Sequence, residues 1–248
     1  TGDLDQLPPV GDEPAYLYSG KVLRLTENMR QNKGSNIPYI AQRILKGLPI
    51  HKGLYGDVLV ISEDELTNEM ILNSDIILCG KNDTRDKLNK KIRNDLLRID
   101  TDIPMYGERV VCRKNNWNIE VDGINLTNGL TGTIESYPSV YGFDGKKLEI
   151  DFKPFISNTI FNGIAIDYKY LTSNHEQRQK LKYNKYSRGE KFEFAYGCTT
   201  HLSQGSQYAN GIYMSEYLHK DIQKNLDYTG ITRFSQSAIY VLPKKRFF

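Results

Sequence analysis

No run of apolar residues in this 248-residue chain approaches the roughly 18 that a membrane-spanning helix needs. Cysteine is scarce. Cys79, Cys112 and Cys198 are scattered, odd in number and free of any Cys/His spacing typical of zinc. Neither a disulfide framework nor a zinc module is expected, and the thiols read as reduced ones of a cytoplasmic protein. The phosphate-binding pattern G-x-x-x-x-G-K-[ST] is absent. Ser19-Gly20-Lys21 and Gly145-Lys146 lack its spacing or its following hydroxyl. Charge imbalance is slight, at +3, so only a local patch would carry nucleic-acid binding. The sequence opens Thr-Gly-Asp with neither a signal-peptide pattern nor an initiator Met, and a piece of a longer protein is expected. No carboxylate cluster with metal-ligand character stands out, which argues against a nuclease.

What is present is 17 tyrosines, a mean hydropathy of −0.54 and enough length for one large domain or two modest ones. The first stretch, Gly2 to Gly11, holds Asp5 and Gln6 beside Pro8 and Pro9. It reads either as a linker or as a sensor loop beside a ligand. Lys21 to Thr26 alternates as a strand does. Ile37, Ile40, Ala41, Ile44 and Leu45 fall at helical spacing, with Ser35 or Asn36 as cap and Gly47 with Pro49 as stop. Val58–Ile61 and Ile76–Cys79 read as short buried strands. Ser62-Glu63-Asp64-Glu65 mimics a magnesium-binding carboxylate pair, but reads better as the opening of a helix through Met70 and Ile71. A further helix follows Asn82, with Leu88, Ile92 and Leu96 on one face and Arg85, Asn89 and Arg93 on another. Strand–helix alternation of this kind predicts α/β layers.

Near Asp102 the character changes. Short strands at Arg109–Cys112, Gly132–Ile134 and Lys147–Ile150 are separated by turn signals such as Asn128-Gly129 and Asp144-Gly145. A small β-barrel running to about residue 190 is expected. Lys180, Lys182, Lys185, Arg188 and Lys191, mixed with Tyr183 and Tyr186, read equally as a strand-binding groove or a solvated hairpin. Trp117, the single tryptophan, either stacks a base or caps the barrel, the cap being the preferred reading. A strand at Gly211–Met214, a helix within His219–Thr232 and a strand at Ala238–Leu242 return the chain to α/β.

The segment Ala195 to Tyr208 is the most distinctive. Thr199, Thr200, His201, Ser203, Gln204 and Gly205 form a cluster of short donors ending at a permissive backbone position. It suits holding phosphate or sugar oxygens, or is a surface turn.

Taken in order, the motifs resemble the C-terminal half of superfamily 1 DNA helicases of the RecD-like, 5′→3′ branch, the exodeoxyribonuclease V alpha-subunit type. Gly2-Asp3-x-x-Gln6-Leu7-Pro8-Pro9-Val10 resembles motif III. Leu25-Thr26-x-x-x-Arg30-Gln31 resembles motif IV. Ile77-Leu78-Cys79-x-x-Asn82-x-x-Arg85, with Asn89 and Arg93, resembles the strand–helix that follows. Gly107 to Asn115 and Asn128-Gly129-x-x-Gly132 resemble an inserted SH3-like barrel. Ala195 to Tyr208 resembles motif V, and Tyr228-Thr229-Gly230-Ile231-Thr232-Arg233 motif VI. Two positions depart from the pattern: Leu202 stands where the family has lysine, and Gln207 where it has glutamate.

The resemblance implies an α/β fold: a RecA-like (P-loop NTPase-type) second motor domain with an inserted SH3-like β-barrel. The tail of a first motor domain would occupy 1–20, the second motor domain 21–103 and 191–248, and the barrel 104–190. It implies ATP and Mg2+ as cofactors, with the metal bound by a P-loop domain absent from this sequence, so that this chain alone is expected not to hydrolyse ATP. Arg233 would be the arginine finger, Arg30 a second γ-phosphate contact and Gln6 the phosphate sensor. Gly205, Gln207 and Gln204 would lie toward the nucleotide. Thr199, His201, Ser203, Asn82 and Asn128 would touch single-stranded DNA, His201 having a structural role as its alternative. Nuclease or replication partners, and a substrate at a replication fork, a repair end or a recombining strand, stay open. Two rival functions stand beside the motor: a non-catalytic single-strand-binding module, and a subunit of a helicase–nuclease complex.

Overall fold

The computed structural model describes residues 5–7, 30–141, 147–181 and 189–244. Among the expectations above, the strand at Lys21–Thr26, the Asp144-Gly145 turn, Pro8–Val10 and the cluster from Lys182 to Arg188 lie outside the described residues. The chain divides into two compact units, Thr1–Lys81 with Cys198–Phe248, and Asn82–Gly197.

The first unit is an α/β layer. Helix α1 (Ile37–Leu45) buries Ile37, Ile40, Ala41 and Ile44, the one-face spacing seen in the sequence. Asn36 holds the N-cap position without a side-chain cap bond, the Ser35 hydroxyl accepts from the Ile37 N–H, and Gly47, with φ of 64°, takes the left-handed position that ends it. Leu48 N–H then donates to Arg43 O at 2.9 Å. Strands β1 (Gly53–Tyr55) and β2 (Val58–Ile61) pair antiparallel. Ser62 and Glu65 form a capping box on a short 3-10 turn, and Thr67 starts α2 (Asn68–Leu72). The helix through Met70 and Ile71 therefore opens at Thr67, after a separate turn. Strand β3 (Ile76–Cys79) is buried throughout, as a central parallel strand covered on both faces must be.

The second unit begins with α3 (Asn82–Lys91), which continues into a π-helical turn over Ile92–Leu96. Strands β4 (Arg109–Cys112), β5 (Asn116–Val121), β6 (Ile124–Leu126), β7 (Thr131–Ile134), β8 (Ser139–Tyr141), β9 (Lys147–Pro154) and β10 (Phe161–Asp167) follow. Short helices α4 (Tyr168–Thr172) and α5 (His175–Leu181) precede β11 (Phe192–Phe194). The antiparallel sheet runs β10-β9-β7-β4-β11, with β8 on β9. Ile166 of β10 bridges Glu190, two residues before β11, so the hydrogen-bonded path returns on itself. Phe152, Phe161 and Phe192 meet inside it with Val110, Leu148, Ile150 and Ile166. Fully burying side chains of this size stabilises by about 1.5–3 kcal/mol each.

Of the two faces of α3, the polar one is the more deeply buried. Arg85 is only 2% exposed and pairs with Glu193 at 3.0 Å and Asp86 at 2.9 Å. Arg113 and Arg178 reach the same Glu193 at 3.0 and 3.4 Å. Arg93 pairs with buried Glu108 at 2.6 Å and lies over the Phe194 ring. Asn89 donates to Phe194 O and Gly197 O and accepts from Gly197 N–H, clamping the backbone beyond β11. Arg178, within a stretch that reads as polar and basic, is likewise buried.

Back in the first unit come β12 (Gly197–Thr199), β13 (Tyr208–Met214), α6 (Lys220–Ile231) and β14 (Phe234–Val241). The sheet order is β1-β2-β14-β13-β3-β12, and β2, β14, β13 and β3 pair in parallel. Helix α6 is fastened by a buried polar knot. Asp227 accepts from Tyr213 Oη (2.6 Å), Ser215 Oγ (3.0 Å), Tyr240 Oη (3.2 Å) and Gln223 Nε2 (3.0 Å). Burial raises the Asp227 carboxyl above its ordinary range, and the four donors partly offset this.

Gly230 in α6 faces the Tyr213 ring so closely that a Cβ would fall inside it. Alanine normally favours a helix over glycine by about 1 kcal/mol. Here the ring is buried and held by Asp227, so Gly230→Ala is expected to lower stability by about 1–3 kcal/mol through overpacking. Urea unfolding measures this, and an unchanged or raised midpoint would refute the close fit.

Candidate functional site

The site forms where α6 gives way to β14, at Thr229–Phe234. A helix C-terminus leaves carbonyls without helical partners and carries partial negative charge, so cations and amides gather there. Arg30 Nη1 donates to Thr232 O at 2.6 Å, and Gln31 Nε2 donates to Phe234 O at 2.7 Å. Arg233 is buried and donates from Nε to Thr229 O at 3.2 Å. Tyr208 N–H, at the start of β13, donates to Arg233 O at 3.0 Å. These bonds tether two guanidiniums at one corner, each an always-charged fork of donors matched to phosphate oxygens.

Residues 5–7 are tied to the same corner. Leu7 N–H donates to Thr229 Oγ1 at 3.0 Å, Gln204 Nε2 donates to Leu7 O at 2.9 Å, and Asn225 Nδ2 reaches Gln6 O at 3.3 Å. Gln6, Arg30, Gln204 and Arg233, separated by up to 227 positions in sequence, thus converge within one unit. Gly205 follows in a turn with φ of 87°, and exposed Gln207 directly precedes Tyr208. Asn225 and Thr229, which hold the Gln6–Leu7 segment, were not singled out as holders. Their i, i+4 spacing on α6 was the available signal.

The segment Thr199–Ser203 departs from a surface turn. Thr199, Thr200, Leu202 and Ser203 are buried, and His201 is half-buried. Their hydroxyls serve the backbone: Thr200 Oγ1 donates to Cys79 O (3.2 Å), Ser203 Oγ donates to Thr200 O (2.8 Å), and Thr199 Oγ1 accepts from Leu202 N–H (3.4 Å). Local hydroxyl bonds of this kind form a self-contained turn that needs no water. Burial lowers the His201 pKa, favouring the neutral ring. Leu202, the residue without the family's charge, lies in the interior.

Asn82 and Asn128 belong to the other unit. Asn82 lies 3.4 Å from His175 Nε2, and the exposed Asn128 gives its backbone N–H to Asn115 Oδ1 at 2.7 Å. Cys79, Cys112 and Cys198 are buried outside any disulfide, and burial pushes the Cys112 thiol up to about 11. Among the described residues, no group of three or more His, Cys, Asp or Glu side chains could hold a metal ion, and no helix is long and apolar enough to cross a membrane.

The sequence matches no protein-family model. The fold is similar to that of the Pif1 helicase from Candida albicans, with a TM-score of 0.54 and 14% identity over 97% of this chain and 63% of that one. A Bacteroides Pif1 helicase in complex with ADP-AlF3 and ssDNA aligns with a TM-score of 0.53 and 13% identity, over 98% of this chain and 63% of that one. Bacteroides Pif1 bound to ssDNA gives 0.52 and 15%, with the same coverage. The chain thus spans about 63% of the length of these helicases. What the likeness establishes is the fold: a mixed α/β arrangement similar to that of these structures.

Proposed function

We propose that this chain is the second motor domain, with an inserted SH3-like barrel, of an ATP-dependent DNA helicase that moves 5′→3′ on single-stranded DNA, of the RecD-like branch. The observation that carries the reading is that Arg30 and Arg233 both bond carbonyls at the end of α6, while the Gln6–Leu7 backbone is held beside them by Asn225, Thr229 and Gln204. Residues from four motifs thus meet at one corner, where the two guanidiniums suit the phosphates of a nucleotide held against a P-loop domain. In that arrangement ATP and its Mg2+ would sit on a P-loop domain, which would supply the metal ligands.

Phosphoryl transfer is accelerated chiefly by positioning and by stabilising charge on the transferred group. Arg233, oriented by Thr229 O and backed by the Asp227 knot through α6, supplies that charge as the arginine finger. Arg30 is the second cation, and Gln6 reports the γ-phosphate to the turn through Leu7 and Gln204. Gly205 lets the turn close, and Gln207 lies toward the nucleotide. On the DNA side, His201 is the half-buried member of an otherwise buried Thr199–Ser203 turn and meets the backbone. Buried Thr199 and Ser203 hold that turn in shape. Within the other unit taken by itself, Asn82 and Asn128 are the residues assigned to single-stranded DNA. Contacts to backbone and base faces suit a translocating motor, because readout of base edges would stall it.

The chain alone is expected to bind single-stranded DNA weakly, with affinity falling as salt rises, and to hydrolyse no ATP. Fluorescence anisotropy of a labelled oligothymidylate across a salt series measures the first, and phosphate release the second. Salt-independent binding would remove the backbone contacts from the proposal.

A further inference from the structure

The sequence Asn116 to Val121 alternates so that Trp117, Ile119 and Val121 would share one face of an unbroken strand. On that pattern Trp117 caps the barrel. The structure reverses this. Asn116 stands opposite Leu126 and Glu120 opposite Asn125, so in the register of β5 with β6, Trp117, Asn118 and Ile119 face no residue. The bulge is closed by Asn118 N–H donating to Asn116 Oδ1 at 3.0 Å, and anchored by Asn116 Nδ2 on Glu190 Oε1 at 2.8 Å. Ile119 and Val121 pack against the core, whereas Trp117 is 67% exposed. A bulge re-aims a side chain, and an indole left in water forfeits the stabilisation that its burial would give.

Next to the bulge, Asn115 Oδ1 holds the backbone N–H of Asn128 at 2.7 Å. Asn115, two residues before Trp117, thus holds the backbone of Asn128, the residue of this unit proposed above to contact the strand. Amides stand on the same hairpin: Asn118 is exposed, and Asn125 is half-buried and bonded to Glu120. An exposed aromatic face on a hairpin that carries amides suits a nucleobase. The base stacks on the ring whatever its identity, and its polar edge meets amides. We propose that Trp117 is a stacking platform for one base of single-stranded DNA. The proposal rests on the helicase reading and adds to it a site that holds the strand by its bases.

Trp117 is the single tryptophan, so its emission reports on this site alone. Unlabelled oligothymidylate is titrated into the chain while Trp emission is followed, and a labelled copy gives binding independently by anisotropy. Quenching with the same midpoint as the anisotropy is expected. Trp117→Ala is expected to weaken binding about tenfold at both low and high salt, since stacking releases no counterions. Trp117→Phe is expected to retain most of the affinity. Because the residue is exposed, circular dichroism of both variants should match the parent. Binding without quenching, or unaltered affinity of Trp117→Ala, overturns the platform and leaves the helicase reading standing. Absence of binding at low salt overturns both.

Discussion

Arg233→Ala in the complete motor, with a P-loop domain present, is expected to lower ATP turnover by about 10³-fold or more. Binding of single-stranded DNA without nucleotide is expected to stay near the parent value. The guanidinium is buried at the end of α6 and oriented by Thr229 O, so the variant removes both a charge and a local contact. Arg233→Lys separates these effects. It keeps the charge but loses the planar fork, and is expected to recover little turnover. Thermal unfolding of both variants gives the structural share. If activity followed the melting temperature, the role would be that of a helix cap. Full turnover in Arg233→Ala would refute the finger assignment outright.

The largest stability effect is expected at Glu193. Its carboxylate is 3% exposed and faces Arg85, Arg113 and Arg178, with Tyr170 Oη at 3.4 Å. Asp86 pairs with Arg85 and Arg178 but is more exposed than Glu193. Removing one partner of a buried pair leaves charge without compensation, at about 3–5 kcal/mol. Domains are stable by only about 5–15 kcal/mol, so Glu193→Ala is expected to bring the second unit close to unfolding. Denaturant unfolding read by Trp117 emission, which reports from that unit, measures it. Replacing charges together, as Glu193→Leu with Arg85→Met, is expected to recover part of the loss, because a matched apolar pair removes the desolvation cost. A loss below about 1 kcal/mol in Glu193→Ala would mean the cluster contributes little.

Much of the architecture was legible because it rests on local rules. The spacing of Ile37, Ile40, Ala41 and Ile44 specifies a one-faced helix, and Gly47 stops it where a left-handed residue is needed. Val58–Ile61 and Ile76–Cys79 are too apolar and too short to be anything but buried strands, and appear as β2 and β3 with those bounds. The same holds for the shift at Asp102 from strand–helix alternation to an antiparallel sheet with tight turns. Motif order also brought Gln6, Arg30, Gln204 and Arg233 under one heading before their convergence was visible.

What the sequence could not settle was the direction in which polar side chains face. Arg85, Asn89 and Arg93 form a stripe that charge alone would send to solvent. The structure buries it because Glu193 and Glu108, far away in sequence, arrive on other elements to meet it. The hydroxyls of Thr199, Thr200 and Ser203 read as ligand donors. They lie buried on backbone carbonyls and amides because β12 runs beside β3 and brings Cys79 O within reach. Trp117 read as a stacking residue or, preferably, a cap of the barrel; a bulge that only the pairing with β6 reveals holds it, and it is exposed. Periodicity along the chain determined which segments are helices and strands. Compensation of buried charge and register between strands, both set by residues distant in sequence, decided which side chains are available to a ligand.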